Sequence, residues 1–289
     1  MDSFYFIDKP LGITSFDVIR NLRKKLNIKK MGHTGTLDPL ATGGLLIATG
    51  NYTKLIPYFE KDFKTYEFEI SFDGSSDSYD LGTQVKYLSL EEKKYFEKNI
   101  TKQKIEDVLK EKFLGEISQV PPKYSALKIN GKKALEKVKN GEEFEIKARK
   151  CNIFEIELLD FKYPFVLIRA KVSAGTYIRS IAFDLGKIFG SGAYVTKLRR
   201  TSVGNLDISL TQSLDNFDEN KKLELKNIFK GNIFSDLPEN ILNKINNGLC
   251  VYGKFDYEIG KDIFILNKNM ISNVVFYDGE KLIPKRKIT

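Results

Sequence analysis

The chain has no tryptophan, one histidine, two cysteines and three methionines among its 289 residues. A single histidine, His33, excludes a histidine-built metal site and leaves little room for a His-dependent triad. Cys151 and Cys250 lie far apart in the sequence with no potential ligand partner beside either, so neither a metal nor a disulfide framework is expected. Nowhere do about 18 apolar residues run together, as a membrane span requires. The stretch from Met1 to Pro10 lacks the basic start and apolar run of a signal peptide, so the expected location is the cytoplasm, with no membrane partner. The acidic stretch from Asp73 through Asp77 to Asp80 misses the spacing of a calcium loop and reads as a solvated turn.

What is present is apolar material for a core, with 42% hydrophobic residues, and an excess of cationic side chains. The length fits one large domain and one small one. The formal charge of +9 and the sequence pI of about 9.2 favour a polyanionic partner through counterion release, although solvated surface lysines alone give the same balance. There are no internal repeats or low-complexity segments.

Residues 32–50 read Gly-His-Thr-Gly-Thr-Leu-Asp-Pro-Leu-Ala-Thr-Gly-Gly-Leu-Leu-Ile-Ala-Thr-Gly and hold a single carboxylate, Asp38. Pro39 disfavours the helical region for Asp38, and the flanking glycines allow tight turns and close approach of a ligand. The apolar run Leu45 to Ala48 predicts a buried strand behind the loop. A phosphate-binding P-loop is excluded, because Leu45 and Leu46 stand where that motif needs Lys and Ser or Thr. An ordinary Asp-Pro turn is the plain alternative.

Along the chain, Thr14 to Asp17 fits a helix start, with Ile19, Leu22 and Leu26 at helical spacing. Thr53 to Lys61 reads as a short helix. Tyr66, Phe68, Ile70 and Phe72 alternate with polar residues in the period of a half-buried strand, which by itself makes Tyr66 a core residue. Helices are expected after Ser89 and over Ile105 to Phe113. Pro121 and Pro122 open a lysine-rich stretch carrying Lys123, Lys128, Lys132 and Lys133. Two alternating runs between 151 and 172 predict central sheet strands. The second leads to Gly175, Tyr177 and Arg179 at the head of a helix that ends near Gly186. An arginine there opposes the helix dipole, which points to an anionic partner, with a surface arginine paired to a glutamate as the plain alternative. Leu198 precedes Arg199 and Arg200, where pattern alone reads as an edge strand with two solvated arginines, and short strand-like runs after about 230 suggest a small β-rich unit.

The twelve residues from Gly32 to Gly43 resemble the catalytic motif of the TruB family of tRNA pseudouridine-55 synthases. Further matches are Lys9-Pro10, Lys64 to Tyr66, Gln119 to Lys133, Gly175 to Arg179 and Leu198 to Thr201. Ser76-Asp77-Ser78 departs from the family pattern, where threonines flank the acid. The resemblance implies a mixed α/β (α+β) catalytic domain over 1–230, built on a large, mostly antiparallel sheet. A PUA-like RNA-binding domain over 231–289 would follow. It makes Asp38 the catalytic residue and His33 an RNA contact, sets Tyr66 beside the target base, puts Tyr177 and Arg179 next to Asp38, and gives Leu198 a place in the base pocket. Residues 121–150, with the four lysines just named, become an RNA clamp.

The implied reaction isomerises uridine 55 in the T loop of tRNA. It needs base flipping and an ionised carboxylate but no cofactor and no obligatory protein partner. Burial alone would protonate Asp38, so an adjacent guanidinium is required, and Arg179 is the candidate. Two rivals stay open: a related synthase acting on other RNA in a guided complex, and an RNA chaperone of the same fold without essential catalysis.

Overall fold

The computed structural model describes residues 2–59, 63–125, 127–129, 131–229 and 233–289, with the Lys133 side chain outside the described set. Thr14 opens the first helix, Ser15–Leu26, through a capping box in which its hydroxyl accepts from Asp17 N–H while the Asp17 carboxylate accepts from Thr14 N–H. Val18, Ile19 and Leu22 form the buried face, and the basic residues of the last turn suit the negative end of the helix dipole. Ser89 and Glu92 make a second such box at the start of Leu90–Asn99.

These helices pack on a mixed, mostly antiparallel ten-stranded sheet. Its main path runs Gln212–Ser213, Ser3–Lys9, Ala41–Thr49, Tyr194–Val203, Lys64–Ser71, Phe165–Val172, Arg149–Lys162 and Gly115–Gln119. Two pairings on this path are parallel: Gln212–Ser213 with Ser3–Lys9, and Tyr194–Val203 with Ala41–Thr49. The alternation around Phe68 gives one face to the core, where Phe68, Ile70 and Phe72 are fully buried. Leu45 to Ala48 are fully buried as well, so the strand behind the Asp38 loop is enclosed on both faces. Ala41–Thr49, Tyr194–Val203 and Lys64–Ser71 lie side by side near the middle of the sheet. The expected central pair, Arg149–Lys162 and Phe165–Val172, lies instead toward the edge formed by Gly115–Gln119.

Three expectations shift in detail. Gly50–Phe59 is a 3-10 helix, and Lys61 lies outside the described residues. The helix carrying Arg179 runs Ile178–Phe189 and ends at Gly190 in the left-handed region, not near Gly186. Gly186 is needed inside it, since a β-carbon there would strike the backbone of Ala193. Leu198, Arg199 and Arg200 occupy an interior strand, so the picture of an edge strand with two solvated arginines does not hold.

The C-terminal part is a five-stranded sheet of Ile233–Asp236, Lys261–Asn267, Met270–Tyr277, Lys281–Lys287 and Val251–Tyr252, covered by helix Glu239–Asn246. It meets the large sheet through an aromatic cluster in which Phe229 contacts Phe4, Phe59 and Phe264 at ring separations of 5.9, 4.8 and 4.6 Å. The expected boundary at 230/231 lies outside the described residues.

Candidate active site

The loop that carries Asp38 is held on both sides of it. Ser15 Oγ donates to Leu37 O at 3.0 Å and accepts from Leu37 N–H at 2.8 Å, tying the loop to the head of the first helix. On the other side, Pro39 O accepts from Gly12 N–H at 2.9 Å and from Lys9 Nζ at 3.4 Å. Lys9 is fully buried, and its Nζ also donates to Pro10 O and Ile13 O, both at 2.8 Å. Burial lowers its pKa to about 8, against the opposing pull of Asp38. The neighbouring strand presses close: a β-carbon on Gly43, whose φ is +106°, would run into the Arg200 carbonyl. Arg200 is 1% exposed and donates through Nε to Gly44 O and through Nη2 to Gly35 O. The glycines that shape the loop are thereby fixed from behind.

Arg179 Nη2 lies 2.9 Å from Asp38 Oδ2. The guanidinium is the more enclosed partner, with 5% of its side chain exposed against 38% for Asp38. The guanidinium makes three further contacts: Nη1 donates to Ser78 O at 3.0 Å, Nη2 also donates to Tyr124 O at 3.0 Å, and Nε lies 3.6 Å from Asp80 Oδ2. Arginine at the head of this helix therefore does have anionic partners, and they hold its plane in a fixed orientation. Burial raises the Asp38 pKa above the ordinary carboxylate value, the Arg179 charge pulls it down and the Asp80 charge pushes it up, with burial dominant. A guanidinium alone thus does not return this carboxyl to its solution value.

Asp80 corrects the reading of residues 73–80 as a solvated turn. It is 8% exposed, and its Oδ1 accepts from Ser78 Oγ at 2.5 Å and Gly82 N–H at 2.8 Å. Asp77, by contrast, is exposed and pairs with Lys86 at 3.2 Å. The legible signal was the local pattern Ser78-Tyr79-Asp80-Leu81-Gly82, in which an aspartate accepts from the backbone two residues on. Gln119 was also missed. It accepts from Tyr177 N–H at 2.8 Å and donates to Tyr177 O at 3.0 Å, fixing the residue that begins the helix.

A cavity of about 370 Å³ gathers Asp38, Tyr66, Tyr177, Arg179 and Leu198 in its walls. Lys64, Ser125, Leu127 and Arg200 line it too. Tyr66 and Leu198 face it from adjacent strands, since Leu198 pairs with Phe68 and Arg200 with Tyr66. His33 is half-buried one residue outside this lining, where its Nδ1 accepts from Gly35 N–H at 3.3 Å. Burial and then the Arg200 charge lower its pKa, favouring the neutral imidazole. The lysines at 123, 128 and 132 are exposed and are not among the lining residues, and Lys132 lies 3.5 Å from Glu142. Segment 121–150 nevertheless reaches the pocket, lining it with Ser125 and Leu127 and meeting Arg179 through Tyr124 O. Among the described residues no group of three or more His, Cys, Asp or Glu side chains is placed to hold a metal ion. No described helix is long and apolar enough to cross a membrane.

Chemically, the arrangement offers one partly open carboxylate braced by a buried guanidinium, beside two phenols and an apolar wall. It suits a flat, uncharged ring presented to a carboxylate.

Comparison with known proteins gives the same direction. The chain is 36% identical over 289 residues to tRNA pseudouridine synthase B of Caldanaerobacter subterraneus subsp. tengcongensis, covering 99% of both proteins. It is 42% identical over 219 residues to the Clostridium acetobutylicum protein of that name, covering 76% of this chain and 73% of the relative. A solved H/ACA ribonucleoprotein bound to a substrate RNA containing 2′-deoxyuridine shares the fold, with a TM-score of 0.70 at 22% identity over 99% of this chain and 85% of that one. The family described as TruB family pseudouridylate synthase (N terminal domain) matches residues 23–178, which include Asp38, Tyr66 and Tyr177. On a match over more than half its length, and on a relative 36% identical that covers 99% of it, the chain belongs to the TruB family of pseudouridylate synthases.

Proposed function

We propose that this protein isomerises uridine 55 in the T loop of tRNA to pseudouridine, with Asp38 as the catalytic carboxylate. The observation that carries the reading is the 2.9 Å pair between Asp38 and the buried Arg179 in the wall of a cavity shared with Tyr66, Tyr177 and Leu198. The relatives' names, tRNA pseudouridine synthase B, supply the substrate class.

The reaction breaks the bond from C1′ to N1, turns the base, and forms the bond from C1′ to C5. The C5 proton is lost and N1 gains one, so nothing enters or leaves overall. Asp38 acts by attacking sugar or base, or by removing a proton, and each role requires its ionised form. Arg179 supports that form and orients it. Tyr66 and Tyr177 flank the ring, Leu198 supplies an apolar wall, and His33 stands beside the pocket as a neutral group able to occupy the gap left by a flipped base.

In this reading residues 1–230 are the catalytic domain and 231–289 a PUA-like RNA-binding domain. The segment 121–150 clamps the T arm through Lys123, Lys128, Lys132 and Lys133, and the protein works in the cytoplasm. The +9 charge favours such a partner. Incubating the purified chain with unmodified tRNA and mapping pseudouridine tests the whole. The expected result is conversion at position 55 in the presence of a chelator. No pseudouridine, or pseudouridine only elsewhere, overturns the assignment.

A further inference from the structure

Buried hydroxyls in this protein are as a rule used. Ser15 Oγ serves the Leu37 backbone, Ser180 Oγ donates to Val120 O at 2.7 Å, and Ser78 Oγ donates to the Asp80 carboxylate. Among the described residues, only five buried side-chain polar atoms lack a hydrogen-bond partner, and two are the hydroxyls of Thr34 and Ser125. Both residues are 4% exposed, and both line the Asp38 cavity. They come from separate parts of the chain, so one local distortion does not explain them together.

Their backbones are anchored, which leaves the hydroxyls as the unused groups. Thr34 N–H donates to Leu46 O at 3.1 Å, tying Thr34 to the central strand. Ser125 O accepts from Leu135 N–H at 3.2 Å, and the adjoining Tyr124 O accepts from Arg179. A buried hydroxyl without a partner is costly, and a cavity built for a polar ligand is where such a cost is recovered on binding.

Resting on the functional reading above, we infer that the Thr34 and Ser125 hydroxyls hydrogen-bond oxygen atoms of the flipped uridine in the Asp38 pocket. A hydroxyl both donates and accepts, so it can serve a uracil carbonyl or the ribose 2′-hydroxyl. Because Ser125 belongs to the 121–150 segment, its contact joins that segment directly to the reacting nucleotide. Removing such a partner leaves a polar group of the ligand unpaired, so selectivity is lost along with affinity.

The test uses the full chain carrying Thr34→Val, Ser125→Ala, or both. Each single variant should lower kcat/KM on unmodified tRNA by about tenfold, the double variant more, with Tm unchanged or raised because neither hydroxyl bonds to protein. Parental kcat/KM in both single variants, or a fall in Tm matching the loss of activity, overturns the inference. Wild-type protein assayed alongside separates the two readings: if it makes no pseudouridine, the functional assignment itself fails. Target sites carrying 2′-deoxyuridine, 2-thiouridine or 4-thiouridine then locate the oxygen by binding. The Kd difference between parent and variant should shrink for the analogue that lacks it, and a difference undiminished across all three also overturns the inference.

Discussion

The pocket around Asp38 and the segment 121–150 both carry charge, and they treat it in opposite ways. In the pocket, Arg179 spends its donors on Asp38, Asp80, Ser78 O and Tyr124 O while its side chain is 5% exposed. In the segment, Lys123, Lys128 and Lys132 stand in solvent, and Lys132 lies 3.5 Å from Glu142. A buried charge requires fixed partners, so the first region is stiff and intolerant of substitution. Exposed charges cost little to rearrange, so on the proposed function the second acts through its sum. On that reading geometry sets chemistry in one region, and charge count sets binding in the other.

The largest expected break in that comparison is Asp38→Asn. Asparagine keeps the size and most hydrogen bonding but removes the ionised group, so turnover should fall by more than about a thousandfold, about 4 kcal/mol or more of barrier. tRNA binding and Tm should stay near those of the parent. A rate within about tenfold of the parent would place the chemistry elsewhere.

Arg179→Lys comes next. A point charge does not reproduce a planar fork serving four acceptors, and an expected loss of about a hundredfold in kcat follows from the misplaced partner. The buried Asp80 would also lose its contact with the guanidinium, so Tm should fall. Near-parental turnover would separate Arg179 from the function of Asp38.

The pH profile sharpens the same point. Because the Asp38 pKa is raised in the folded protein, chiefly by burial, its ionised fraction still rises with pH above the ordinary value of 3.8. The acid limb of kcat/KM should therefore lie above that value. Stability runs the other way. Between the ordinary and raised values the folded form binds more protons than the unfolded form, so this group's contribution to stability decreases as pH rises. An acid limb at or below 3.8 would show that another group controls the rate.

The sequence showed these two regions unequally, for a physical reason. Thr14 with Asp17, and the alternation from Tyr66 to Phe72, are local patterns whose consequences close within a few residues, and helix and strand form there as expected. Asp38 stood out through its motif, and Arg179 through the family resemblance of residues 175–179, with its conflict with the helix dipole as a weaker sign. Asp80 was misread because its burial depends on Arg179, far along the chain. Lys9 and Arg200 escaped for a related reason. Their partners are backbone carbonyls brought near by tertiary folding and by the parallel pairing of Leu198 with Ala41, which carry no composition signal. In the 121–150 segment the lysines could be seen but not where they point, because exposed charge imposes little on local structure.

The smallest effect is expected in that segment, and it is the one that distinguishes summed charge from geometry. Neutralising Lys123, Lys128 and Lys132 to glutamine should leave kcat and Tm near parental values, since these side chains are exposed and the Lys132 pair with Glu142 is solvent-screened. Binding should weaken by about threefold to tenfold at moderate salt. The plot of log Kd against log salt should lose about 0.7 to 0.9 of slope for each lysine that contacts a phosphate. The slope is the decisive readout, because a loss of affinity with unchanged slope would mean that the lysines shaped the segment without meeting phosphate. Adding Ser125→Ala to the triple variant extends the comparison within one segment. The hydroxyl should cost catalytic efficiency without altering the salt slope, while the lysines alter the slope without altering kcat, and the two effects should add because they act on different terms. If both substitutions moved the same parameter, segment 121–150 would act as one structural element, and the division between fixed and summed charge would not hold there.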